Sequence, residues 1–83
     1  MSAYSPLIRS HRALAKAYKD GARKDFDAAQ EEWAANKKGE AEAHSMLASF
    51  QLRYADAHSQ AADDLEAHER SLAERVHGQP PLR

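Results

Sequence analysis

Apolar residues recur at three- and four-residue steps along nearly the whole chain. From Ala41 to Val76 the positions Ala43, Leu47, Phe50, Tyr54, Ala57, Ala61, Leu65, His68, Leu72 and Val76 fall on one stripe of an α-helix, with no Gly or Pro inside it. A second stripe of the same kind runs Leu7, His11, Leu14, Tyr18, Ala22, Phe26, Ala29, Trp33. Gly21 lies within it and costs a helix about 1 kcal/mol relative to Ala. The stripe crosses that residue without a phase reset, so one continuous helix is expected in preference to two.

The punctuation fits two helices. Ser5 and Pro6 make a start, since a Ser hydroxyl can accept an orphan backbone N–H and Pro at the first helical position loses no hydrogen bond. Asn36, Lys37, Lys38, Gly39 and Glu40 make a boundary, with bases at a negative helix end, Gly39 able to take the left-handed conformation, and Glu40 and Glu42 at the next positive end. His77 and Gly78, followed by Pro80 and Pro81, make the stop. The pattern therefore predicts an all-α antiparallel two-helix hairpin, helix one about 5–37 and helix two about 40–77, with residues 78–83 a frayed tail and 1–83 a single domain.

Composition adds a need for company. Large apolar side chains (Val, Ile, Leu, Met, Phe, Trp, Tyr) number 17 in 83 residues, whereas Ala alone numbers 18. An Ala-rich seam buries little surface per residue, and a domain this small obtains only a few kcal/mol from one core. Trp33, Phe26, Phe50, Ile8 and Leu52 also widen the apolar arc beyond what one two-helix seam covers. The expectation is a four-helix bundle, formed by a homodimer or by docking on another helical protein. Absence of Cys rules out disulfides and thiolate metal sites. No run approaches a membrane span and no signal-peptide pattern opens the sequence, so the expected compartment is cytoplasmic.

Charge is uneven although the net value is −1. Residues 1–24 hold six bases and one acid, 25–36 four acids and no base, and 39–83 eight acids and four bases. Arg9, Arg12, Lys16, Lys19 and Arg23 line one helix face, where they could engage an acidic protein surface or, in a nucleic-acid-binding dimer, phosphates. Asp56, Asp63, Asp64 and Glu66 on the antiparallel neighbour would lower that field, and no aromatic interleaves the cations, which places nucleic acid second. Phe26, Trp33, Met46 and Phe50 cluster near the turn; helical spacing makes them core, while an exposed Trp or Phe there would be a partner anchor.

Other chemistry is sparse. Folding about residue 38 sets position 11 opposite about 65, bringing His11, Asp64 and His68 within reach of one another as a candidate metal site or pH-sensitive pair. Glu74 and His77 spell a single Glu-x-x-His, which only a dimer would double. No nucleophilic triad, phosphate loop or catalytic carboxylate pair can be placed, so neither catalysis nor a cofactor is expected. The sequence thus points to a small interaction or regulatory module working through a helical surface, with a nucleic-acid-binding dimer and a metal-binding bundle as alternatives.

Overall fold

The computed structural model describes residues 3–78, with side chains through Arg75, and shows an antiparallel hairpin of two helices, α1 (Ser5–Ala34) and α2 (Lys38–Gly78). It is a rod of 75 × 16 × 12 Å. The tail expected over 78–83 lies, apart from Gly78, outside the described residues. Helix α1 is continuous through Gly21, as the unbroken stripe predicts.

Both helix ends differ from expectation in instructive ways. Tyr4, not Ser5, occupies the N-cap position, its backbone already near-helical (φ −90°, ψ −11°) and its carbonyl accepting the Ile8 N–H at 2.9 Å. Ser5 therefore sits inside the first turn, and among the described residues no side chain caps the helix start. At the other end α1 stops at Ala34, three residues before the expected 37, and Asn36 rather than Gly39 takes the left-handed conformation with φ 60°. The Asn36 N–H donates to the Trp33 carbonyl at 3.1 Å and the Lys37 N–H to the Glu32 carbonyl at 2.8 Å, the paired bonds of a Schellman stop. Asn is among the few side-chain-bearing residues that visit this region readily. Gly39 is left inside the first turn of α2, with Glu40 as that turn's acid.

The core is narrower than either sequence stripe. Its buried apolar residues are Ile8, Ala15, Ala22 and Ala29 on α1 and Ala41, Ala48, Ala55 and Ala62 on α2, each series strictly seven residues apart. Small side chains at seven of these eight positions, all but Ile8, draw the backbones together, and a seven-residue repeat holds that seam in line between two wound helices. The expected stripe averages nearly 3.7 residues per step and so drifts across a 3.5-residue seam. On α2 it runs one residue ahead of the true seam, with Leu47 before Ala48, Tyr54 before Ala55 and Ala61 before Ala62. On α1 it starts on one flank at Leu7 and Leu14, crosses the seam at Ala22 and Ala29, and leaves on the other flank at Phe26 and Trp33.

Three residues after each buried position comes a half-buried, mostly polar one: His11, Tyr18, Asp25 and Glu32 on α1, His44, Gln51, His58 and Leu65 on α2. Ala layers and polar layers thus alternate along the rod. Ring nitrogens Nδ1 of His11 and His58 are 2.8 Å apart, one donating and the other accepting. Tyr18 stacks on His58 at 5.7 Å and 9° and meets Tyr54 at 5.5 Å, while the His44 ring pairs with the Glu32 carboxylate. These directional contacts fix the register, which methyl groups alone would leave free to slide.

Candidate interaction surface

Heptad spacing divides the rod into two flanks. One carries Leu7, Leu14 and Gly21 from α1 and Leu47, Tyr54 and Ala61 from α2, with Ala17, Ala43, Phe50 and Ala57 just outside them. Leu7 and Leu47 are each 50% exposed and Tyr54 is 55% exposed, in a chain whose core is otherwise nearly all Ala. No charged residue occupies a flank position between residues 7 and 21 of α1 or between 43 and 61 of α2, although 30% of the chain is charged; the Arg53 guanidinium reaches over the flank at Phe50. The result is a broad, largely uncharged band along the middle of the hairpin. Gly21 belongs to it because Gln51 crowds in from α2: a Cβ on Gly21 would meet the Gln51 Nε2 at 3.1 Å.

The opposite flank is charged over most of its length. Arg9, Arg12, Lys16, Lys19 and Arg23 all lie exposed there, confirming their placement on solvent. Two of the five are engaged within the molecule. Arg12 donates through Nη2 to Glu66 at 2.5 Å and to Asp63 at 3.2 Å, and those hydrogen bonds, Glu66 foremost, raise its pKa above the ordinary arginine value. Lys16 pairs with Asp20 one turn on at 3.0 Å. Such exposed pairs add little stability, but they do occupy the cations that would meet phosphates or an acidic partner.

The aromatic residues near the turn do not form one anchor. Phe26 and Trp33, 39% and 46% exposed, lie on the charged flank with Leu52, whereas Phe50, 42% exposed, lies on the uncharged one beneath the Arg53 guanidinium, 5.9 Å from its ring centre. Met46 points away from the seam and is 59% exposed. None of the four is core, contrary to their helical spacing, because Ala takes every seam position but that of Ile8.

The proposed metal trio is not assembled. His11 meets His58, His68 packs edge-on against Tyr4 at 5.5 Å, and Asp64 accepts the Gln60 amide at 2.8 Å. The hairpin folds about residue 35 and not 38, so position 11 faces 58 instead of about 65. Among the described residues no group of three or more His, Asp or Glu is arranged to hold a metal ion. The His77 half of the Glu74 and His77 pair lies outside the described side chains. Shallow grooves run along the rod, one of them with Arg12, Lys16 and Lys19 over a floor of Ala15 and Ser59. Among the described residues no helix is long and apolar enough to cross a membrane.

Sequence reasoning missed Leu7, Leu14, Leu47 and Tyr54 as surface residues, having placed them in the seam. The signal that identifies them is the unbroken series Ala41, Ala48, Ala55, Ala62, matched by Ala15, Ala22, Ala29. No protein-family model, curated protein or solved structure matches the chain.

Proposed function

We propose that the chain is a non-enzymatic protein–protein interaction module that works through a helical surface, and that the working surface is the uncharged flank centred on Leu47, Phe50 and Tyr54. The observation that supports this reading is the exposure of those side chains in a continuous band, where soluble monomers rarely leave apolar patches larger than a few hundred Å². Tyr and Phe on a rigid scaffold lose little conformational entropy on docking and are the residue types that dominate interface energies. The basic stripe ranks behind this flank as a partner site, since Arg12 and Lys16 are already paired within the molecule.

Capture from an extract of the producing organism tests the proposal, comparing the wild-type chain with the Leu47→Glu/Tyr54→Glu double variant. Expected is a set of bound proteins, which includes further copies of the chain if it self-associates, lost with the variant and kept by an Arg9→Glu/Arg23→Glu control. Equal capture by wild type and the flank variant overturns it.

A further inference from the structure

We infer that the layer formed by His11 and His58 is an acid-released clasp: protonation of both rings parts the open end of the hairpin, while the turn end, held by His44 and Glu32, stays closed.

The two imidazoles meet across the seam end to end. Their Nδ1 atoms are 2.8 Å apart and their ring centres 5.1 Å apart with planes tilted by 31°, so both nitrogens lie near the line joining the rings. That bond needs one Nδ1 that carries a proton and one that does not. A pair with no added proton satisfies it, and so does a pair with one. With two, a pair of N–H donors and two positive charges face each other at hydrogen-bond distance, and the contact turns repulsive.

Little in the surroundings offsets the second charge. One turn either way on its own helix, His11 has Leu7, Ile8, Leu14 and Ala15, and His58 has Tyr54, Ala55, Ala61 and Ala62. Tyr18 of α1 stacks on His58 at 5.7 Å, where its ring face favours a single cation and directs the first proton to His58. The charged neighbours on α1 are Arg12 and Lys16, which border the groove over Ser59. Those on α2 are Asp63 and Glu66, which Arg12 already holds. Among the described residues neither ring forms an ion pair with a carboxylate.

His44 responds differently because its partner is a carboxylate. The ring can donate from Nδ1 to Glu32 whether it is neutral or protonated, so acid leaves this bond in place. Its other charged neighbours are mostly acidic, Glu40 one turn back on α2 and Asp25 at the matching layer position of α1, while the base at that level, Lys24, lies exposed. Toward the open end the helices are further joined by Arg12 with Asp63 and Glu66, exposed pairs that contribute little. Acid therefore acts on one end of the rod.

The closed pair carries at most one added proton where two separated imidazoles carry two. Closure should thus weaken about tenfold for each pH unit below about 6.5.

Amide hydrogen exchange followed by NMR at about pH 7.5 and about pH 5.0, corrected for intrinsic rates, tests the proposal above the range in which carboxylates ordinarily titrate. Protection over residues 9–18 and 55–65 should fall at least about tenfold in acid, while residues 22–32 and 41–51 change by less than about threefold. His58→Gln gives His11 an amide oxygen that accepts from Nδ1 in either state, and should abolish the open-end response. If that variant is unfolded at neutral pH, His11→Gln is read in its place. His68→Gln, which alters the histidine packed against Tyr4 at the same end, should leave the response intact. Equal loss along the whole rod, no loss at the open end, a response that survives His58→Gln, or one that disappears with His68→Gln overturns the inference.

Discussion

Replacing Ala48 by Leu puts three extra carbons into the middle of the seam, where the wild-type methyl is fully buried. The register set by His11 with His58 and by Gly21 with Gln51 brings α1 backbone close to this point. Were there room, burying three more carbons would favour folding by about 2.4 kcal/mol, at about 0.8 kcal/mol each. There is none, so the helices must separate locally. Separation uncovers the flanking Ala15, Ala22, Ala41 and Ala55, all at most 4% exposed, and forfeits about 0.8 kcal/mol for each methyl that loses its cover. It also stretches the 2.8 Å bond between His11 and His58, which contributes about 1 kcal/mol. The losses exceed the gain, and a net destabilisation of about 1–3 kcal/mol is expected, as for overpacked cores in general. Urea unfolding followed by circular dichroism at matched chain concentrations measures it. Met46→Leu, at a 59% exposed position facing away from the seam, serves as the control and should change stability by less than about 0.5 kcal/mol. An Ala48→Leu protein as stable as wild type would refute the claim that close backbone approach governs this fold.

Other substitutions probe the remaining features. Asn36→Gly should leave stability unchanged or raise it slightly, whereas Asn36→Val should lower it by about 1–2 kcal/mol at φ 60°; thermal melts distinguish the two. Gly21→Ala should stabilise by about 0.5–1 kcal/mol through helix propensity, because the atoms its Cβ meets at 3.1–3.3 Å are the movable end of Gln51, and urea unfolding that shows a loss would mean Gln51 is locked. Arg12→Ala, which frees Asp63 and Glu66 at the surface, should lower the melting temperature slightly at low salt, with the difference vanishing near about 0.5 M salt.

Helix number, direction and the continuity of α1 were legible in the sequence because they depend on local chemistry: Pro6, the absence of interior Pro, and a polar turn after Trp33. The turn was misplaced at Gly39 because glycine is the usual left-handed residue, yet the Schellman bonds from Asn36 and Lys37 complete the stop three residues earlier. That small shift carried over to the far end, separating His11 from His68. The seam was misread for a different reason. Counting large residues followed Leu47, Phe50 and Tyr54, while packing selected Ala48 and Ala55, since a hairpin with small residues at its contact line brings more backbone into proximity than one with large residues there. Prominence in hydrophobicity and position in the core are different quantities, and in an Ala-rich chain they point to different residues. The basic stripe was placed correctly on solvent, but its pairing with Asp63 and Glu66 depends on register, which no single-helix pattern contains.

Because each seven-residue block repeats the same two layers, one of methyls and one of polar or aromatic groups, length is separable from lateral design in this molecule. Excising one block from each arm at matching levels would shorten the rod by about 10 Å while every surviving layer kept its neighbours. Distance between the tip and the open end can therefore change in fixed increments, as in a ruler, leaving the sides that meet other molecules as they were.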